Sequence, residues 1–178
     1  PHYIKSIADS IRRHWETKGR ADKLVLSYHG MPKRYLLEGD PYHCQCLKTS
    51  RLVAAELGLE ADAYLSTFQS RFGRDEWLKP YTDETLMSLP EQGVKSLQII
   101  CPGFSADCLE TIEEIGTENR DYSLEPGGER YQYSPCLNAT DDHIDMITAL
   151  ITEQLAGWVA PKYDATKAKA EAVKLGGN

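Results

Sequence analysis

The sequence predicts an α/β fold in which helices cover both faces of an open, mostly parallel sheet of four strands. Four short runs rich in apolar or β-branched residues begin near Lys23, Asp62, Ser96 and Tyr131. Stretches with helical spacing of apolar residues separate these runs, and no two-residue hairpin signal joins any pair of them. Strands that alternate with helices need crossover connections, which produce a parallel sheet inside a three-layer sandwich.

Length and charge limit the classes of protein that fit this sequence. The 178 residues suit one domain, and we assign residues 1–160 to the α/β domain and residues 161–178, rich in Lys and Ala, to a polar tail. With 20 basic and 27 acidic residues the formal net charge is -7. Because no basic stripe with interleaved aromatic residues occurs, nucleic acid is not an expected partner.

The apolar runs are short, and the five cysteines are an odd number. No run approaches the roughly 20 apolar residues that span a bilayer, and no signal peptide opens the chain. We therefore expect a cytoplasmic protein with reduced thiols. Because the chain opens at Pro1 within a helical pattern, we also expect that it is the remainder of a longer protein.

The first elements are an amphipathic helix and a short strand. Ile4, Ile7, Ile11 and Trp15 follow helical spacing up to a glycine C-cap at Gly19. The strand that begins at Lys23 then brings Ser27, Tyr28 and His29 to a turn over residues 30–32. Ligands bind at the carboxyl ends of strands in open parallel sheets, so this position favours a functional role for His29.

A polar loop over residues 34–46 leads into a helix predicted from about Cys46 to Leu57, with Gly58 at its end. Cys44 and Cys46 lie beside His43, but their spacing is not that of a zinc ribbon and no second pair follows. A structural metal is therefore not expected in this segment.

The loop after the second strand is crowded with basic and aromatic residues. Arg71, Arg74, Trp77 and Tyr81 offer a surface for a flat, anionic, aromatic ligand. An equally good interpretation is that Trp77 only closes the edge of the domain. A helix over residues 82–92, ending at Gly93, leads to the third strand.

The third strand, Ser96–Ile100, opens into an acidic helix. Asp107 is predicted as its N-cap, and Glu110, Glu114 and Glu118 recur every fourth residue. In an α-helix this series drifts by about 40° per step, and underwinding into a π-bulge would align it better. The face is either a solvated surface favoured by the helix dipole, or a carboxylate ladder suited to a divalent cation or a proton relay.

A fourth strand follows near Tyr131. Thr140 or Asp141 is predicted to cap a final helix that reaches about Trp158. Neither a G-x-G-x-x-G motif nor a P-loop lysine accompanies the strands, so no nucleotide site is evident.

Over residues 1–159 the chain closely resembles the carboxyl-terminal half of the ferrochelatases, of bacterial type. Five segments in the same order carry the resemblance: S-Y-H-G-M-P at 27–32, G-D-P-Y at 39–42, F-Q-S-R-F-G-R-D-E-W-L-K-P-Y-T at 68–82, P-G-F-S-A-D-C-L-E-T at 102–111 and L-N at 137–138. Cys108 fits the bacterial pattern, whereas animal relatives carry histidine there.

The resemblance implies a chelatase or flavodoxin-like α/β domain that inserts ferrous iron into a porphyrin, protoporphyrin IX, in haem biosynthesis. It implies that His29 and Glu110 are catalytic and face each other across the porphyrin cleft. His29 acts either as a general base or as a metal ligand, and Glu114 and Glu118 extend the line of metal-binding acids along a π-distorted helix. Tyr28, Trp77 and Phe104 are the candidate porphyrin contacts.

The resemblance also implies a missing amino-terminal domain, no redox cofactor and no iron-sulfur cluster, with iron as a substrate. Trp77 and Phe104 would then be left exposed in the isolated chain and favour self-association. The alternatives are a non-catalytic module that binds metal or haem, and a sibling chelatase that places cobalt or nickel in another tetrapyrrole.

Overall fold

A computed structural model describes residues 1–158 and 164–177 of the chain, and its centre is one sheet of four parallel strands. The strands are β1 (Lys23–His29), β2 (Tyr64–Gln69), β3 (Ser96–Ile100) and β4 (Arg130–Tyr133). Their order across the sheet is β2-β1-β3-β4, and each neighbouring pair is parallel. The predicted four-stranded parallel sheet is therefore confirmed.

Helices connect the strands and cover the sheet. They are α1 (His2–Lys18), α2 (Lys33–Leu37), α3 (Tyr42–Leu57), α4 (Thr82–Ser88), α5 (Asn119–Leu124), α6 (Asp141–Gln154) and α7 (Ala165–Lys174), with a 3₁₀ turn at Pro90–Gln92 and a π-helix at Glu110–Glu118. Among the described residues, no helix is both long enough and apolar enough to cross a membrane.

Alternating side chains of the strands build two separate cores. On one face, Leu24 and Leu26 of β1 pack with α1 and α3 through residues such as Ile11 and Val53. On the other face, Val25 and Ile99 pack with α4 and with Ile115 of the π-helix. Burial on both faces explains why the central strands read as nearly continuous apolar runs.

This arrangement creates a crevice between β1 and β3. Helix α3, which lies between β1 and β2 along the chain, belongs to the first core, whereas the π-helix that follows β3 belongs to the second, so the two helices lie on opposite faces of the sheet. Chain segments that leave adjacent strands toward opposite faces open a gap at the carboxyl edge of the sheet, where ligands bind in open α/β folds. His29 is the last residue of β1 and lies at this gap.

Two predicted helix starts are wrong. Helix α3 begins at Tyr42 rather than Cys46, because the carboxylate of Asp40 accepts a hydrogen bond from the Tyr42 N–H (2.8 Å) and starts the helix earlier. Asp107 does not cap the acidic helix, which is preceded by Leu109. Its carboxylate instead accepts hydrogen bonds from Asn138 and Cys136 beyond β4.

The end of the chain differs from the prediction in one respect. Thr140 precedes α6 as predicted, but α6 ends at Gln154 and not near Trp158. The proposed boundary between residues 160 and 161 lies outside the described residues. Within the predicted polar tail, the Asp164 carboxylate caps α7 by accepting hydrogen bonds from the N–H groups of Thr166 and Lys167 (both 3.0 Å).

Candidate active site

His29 presents one free ring nitrogen at the carboxyl edge of the sheet. Its Nδ1 lies 2.7 Å from the carbonyl oxygen of Gly30, and because a carbonyl only accepts, Nδ1 must carry the proton. The neutral imidazole therefore has its lone pair on Nε2. The Tyr42 hydroxyl donates to the His29 carbonyl oxygen (2.8 Å) and fixes the backbone at this point. His29 is half-buried, so a base or ligand nitrogen is held in a defined place.

Glu110 is the first residue of the π-helix, and its side chain is exposed. The Cys108 thiol donates a hydrogen bond to Glu110 Oε2 (2.9 Å). This hydrogen bond, together with the Glu110 backbone N–H and the charge of His29, lowers the pKa of the Glu110 carboxyl. Glu110 is therefore an anion at neutral pH, close enough to His29 for the two charges to interact.

The acidic helix is a true π-helix over Glu110–Glu118, which confirms the predicted underwinding. Its wider turn brings side chains four residues apart closer to one line than an α-helix does. Glu114 is half-buried, and both of its carboxylate oxygens accept hydrogen bonds from Ser70: from the N–H at 2.7 Å and from the hydroxyl at 2.6 Å. Glu118 is exposed.

A small cavity follows this line of acids. It has a volume of about 150 Å³ and is bordered by Glu114, Glu118, Ser70 and Asp83, among others. Within residues 1–158 and 164–177, no three His, Cys, Asp or Glu side chains converge on a common point that could hold a metal ion. The described carboxylates therefore lie apart from one another and do not form a preformed metal site.

Tyr28 does not lie in this site. Successive side chains of a strand point to opposite faces, so Tyr28 points away from the face that holds Ser27. It is 2% exposed, and its hydroxyl is hydrogen-bonded to Ser50 (2.9 Å) within the first core. Burial raises the pKa of this hydroxyl. Its placement argues against the predicted porphyrin contact and assigns Tyr28 to packing beneath the site.

The expectation that Trp77 is left exposed is wrong. Trp77 is 5% exposed and packs against Gly30, and its indole N–H has no hydrogen-bond partner among the described residues. The exposed aromatic ring at this place is Phe72, whose centre lies 4.9 Å from that of Trp77. Phe104 is half-buried rather than exposed as expected, and its ring centre lies 6.1 Å from that of His29, so it lies beside that residue.

The predicted basic and aromatic surface is also different from the expectation. The Arg71 guanidinium pairs with Asp83 (2.7 Å) and Glu84 (2.8 Å) and lies 4.0 Å from the centre of the Tyr81 ring. Its charge is therefore neutralised within the domain. This arrangement removes Arg71 as a ready partner for an anionic ligand and leaves Arg74, which is exposed.

Sequence reasoning missed Gln69, the last residue of β2, and Ser70, which follows it. The Gln69 side-chain amide donates to the Glu110 carbonyl oxygen (2.7 Å), while its Oε1 accepts from the Ser27 hydroxyl (2.8 Å). Both residues stand in the F-Q-S-R segment, and a polar pair directly after an apolar strand is the signal that could have found them.

Comparison with known proteins identifies the family of the chain. The family model described as Ferrochelatase matches residues 1–155. Proteins named ferrochelatase from Pseudoalteromonas atlantica and Marinobacter nauticus are 67% and 62% identical to 89% and 91% of this chain, which covers 44% of each relative. The ferrochelatase of Teredinibacter turnerae is 63% identical over 89% of the chain and 43% of the relative. The chain thus spans less than half the length of these relatives, and with its family match over residues 1–155 it belongs to the ferrochelatase family.

Proposed function

We propose that this chain supplies one wall of the active site of a ferrochelatase, which inserts ferrous iron into protoporphyrin IX in haem biosynthesis. The proposal rests on one observation, the family match over residues 1–155, which includes the strand end with His29 and the π-helix with Glu110. The names of the relatives favour iron over cobalt or nickel as the metal.

The chemistry requires proton removal as well as metal delivery. A free-base porphyrin gives up two pyrrole protons and accepts one dication, so the ring leaves the reaction with the same charge. His29 offers one lone pair, on Nε2, and cannot hold a proton and a metal ion at the same time. Oxygen ligands for the ion are available from the carboxylates. We therefore assign His29 to proton removal, with Nε2 taking the two protons one after the other and releasing the first to solvent before it accepts the second, and we assign the carboxylates to the metal.

Glu110 complements both steps. Its carboxyl has a lowered pKa, to which the charge of His29 contributes, so Glu110 supplies a carboxylate for the metal beside the proposed base. Farther along the π-helix, Glu114 and Glu118 offer oxygen atoms at separated places, which bind a cation more weakly than a closed cage does. Weak binding positions suit an ion that is a substrate and must leave for the ring.

We further propose that the reaction needs no redox cofactor and no iron-sulfur cluster, and that it takes place in the cytoplasm.

The test uses the full-length protein and follows porphyrin absorbance with ferrous iron or zinc. His29→Ala and Glu110→Gln should each lower kcat/KM by about a hundredfold or more, the scale of a lost general base. The double variant should be little worse than either single one, because the two groups act together. Glu113→Gln is the matched control, since Glu113 is an exposed acid of the same π-helix and should retain activity.

Three results would contradict the proposal. Turnover near wild type in either single variant would exclude the assigned pair. Faster insertion of cobalt or nickel than of iron would indicate a sibling chelatase. Porphyrin or haem binding by the full-length protein without any turnover would indicate a binding module.

A further inference from the structure

We propose that Ser70 is a positioning residue that clamps Glu114 and so keeps metal binding along the acidic helix weak enough for release. The inference rests on the proposed function, because it concerns the metal that the reaction consumes. It assigns to the end of β2 a role in setting how strongly the π-helix holds a cation.

The clamp uses both oxygens of one carboxylate. The Ser70 N–H donates to Glu114 Oε1 and the Ser70 hydroxyl to Oε2, at 2.7 and 2.6 Å. Two donors from one residue fix the orientation of the carboxylate and withdraw electron density from it. Both effects make the oxygens poorer ligands for a dication, because the hydrogen bonds must be weakened before a metal takes the same lone pairs.

The backbone of Ser70 is adapted to this contact. Its φ is 61°, and apart from Asn138 it is the one non-glycine residue with positive φ among the described residues. This conformation is unfavourable for a residue with a Cβ and persists where the surroundings impose it. At Ser70 it allows the N–H and the hydroxyl to point at the same side chain.

The pairing of β1 with β2 fixes the position of Ser70 relative to His29. Gln69, the residue before Ser70, is the parallel partner of His29 across β1 and β2. It is 3% exposed and is tied to Ser27 through its Oε1 and to the Glu110 carbonyl through its Nε2. Two consecutive residues therefore act on the π-helix. Gln69 fixes the position where the helix starts, and Ser70 fixes the orientation of the Glu114 carboxylate.

The neighbouring acids lack such a clamp. Glu110 receives one thiol hydrogen bond, a weak donor, and Glu118 receives none from the described residues. The cation of Arg71, which borders the same cavity, is already paired with Asp83 and Glu84. Ser70 thus distinguishes Glu114 from the acids on either side of it.

The test measures Co²⁺ binding to the full-length protein without porphyrin, by calorimetry and by the visible absorbance of the metal. Ser70→Gly removes the hydroxyl and accepts the positive φ. It should tighten Co²⁺ binding by about fivefold, the effect of one net hydrogen bond, and it should lower kcat for insertion because the ion is released more slowly. Ser70→Ala also removes the hydroxyl and should give the same shift in Kd, although its backbone is strained.

Double variants show whether the effect passes through Glu114. In a Glu114→Gln background, Ser70→Gly should no longer change Co²⁺ affinity. In the matched Glu118→Gln background, where the removed acid borders the same cavity without contacting Ser70, the fivefold shift should persist. Unchanged or weaker Co²⁺ binding in Ser70→Gly, or an equal shift in both backgrounds, would overturn the proposal. If the shift occurs as expected while the wild-type protein fails to metallate porphyrin, the clamp stands and the proposed function falls.

Discussion

At the scale of single residues, Asp107 connects the start of the acidic segment to the chain beyond β4. Its carboxylate accepts hydrogen bonds from the Tyr133 hydroxyl, the Cys136 N–H (3.1 Å) and the Asn138 side-chain amide (2.7 Å). Partial burial acts to raise the pKa of Asp107, but the hydrogen bonds of Asn138, Tyr133 and Cys136 outweigh it, so the pKa is lowered. Asp107 therefore supports the loop that carries Phe104 and leads to Glu110, rather than capping the helix.

This lowered pKa predicts how stability depends on pH. Asp107→Asn should reduce the free energy of unfolding at pH 7 by about 1 kcal/mol, because two or three hydrogen bonds lose their charged acceptor on a partly exposed group. Since the folded pKa lies below the unfolded value of about 3.9, the advantage of the wild type is complete above that pH and disappears as the pH falls through the folded pKa.

Urea unfolding of both proteins at several pH values between about 3 and 7 measures this difference. Asp145→Asn, which changes an exposed acid of α6, is the control and should have little effect at any pH. A difference between wild type and Asp107→Asn that grows as the pH is lowered would contradict the assigned direction of the shift.

Two errors of sequence reasoning also belong to single residues. Tyr28 was expected to contact porphyrin, yet strand alternation sends its side chain to the opposite core, where it meets Ser50. Alternation alone could have predicted this outcome. The burial of Trp77 could not be read from the sequence, because it depends on how the loop after β2 folds back onto Gly30.

At the scale of elements, the close approach of β1 and β2 at their carboxyl ends aligns the site. The Gly30 N–H donates to the Gln69 carbonyl oxygen at 2.7 Å. A Cβ at Gly30 would lie 2.7 Å from that same oxygen and 3.0 Å from Trp77 Cε3. Because the first of these atoms is backbone, the strand ends would have to separate to make room.

Gly30→Ala should therefore destabilise the protein by about 1–3 kcal/mol, the usual cost of overpacking. It should also lower activity beyond the loss of stability, because Gln69 fixes the start of the π-helix. Thermal unfolding and porphyrin absorbance measure the two effects separately. Gly103→Ala is the matched control: its added Cβ would find its nearest atoms at 3.7–3.8 Å, so fold and stability should be retained. Equal stability of the two variants would show that the strand ends tolerate separation.

The sequence predicted the elements better than their arrangement. Strands β1 and β3 are apolar runs bounded by polar or turn residues, such as Ser96–Ile100 before Pro102 and Gly103, and such local signals set these strands and the glycine C-caps at Gly19 and Gly58. The strand order β2-β1-β3-β4 depends on long-range pairing that no local pattern encodes. The contacts of Gln69 and Ser70 with the π-helix depend on that order, so they too emerged only from the fold.

At the scale of the whole molecule, this chain covers 44% of relatives such as that of Pseudoalteromonas atlantica, and several apolar surfaces are exposed. Helix α6 exposes Ile144 and Ile151, each about half accessible, and Trp158 beyond it is 78% exposed. At the site, Phe72 and Leu109 are 74% and 73% exposed. Exposed apolar side chains are typical of an interface where they form a contiguous patch.

The isolated chain of 178 residues should therefore bind Co²⁺ or Zn²⁺ weakly, metallate porphyrin very slowly or not at all, and self-associate through its exposed apolar side chains. The carboxylates proposed to bind metal lie in this chain, so weak binding should survive. Insertion also needs the ring held in place, and a site with only one wall loses most of the rate that positioning contributes, which can reach several powers of ten. Isothermal titration, porphyrin absorbance and sedimentation at several concentrations test these parts, with the full-length protein as reference. Turnover near that of the full-length protein, from a chain that sediments as a monomer, would mean that this single domain closes its own porphyrin pocket.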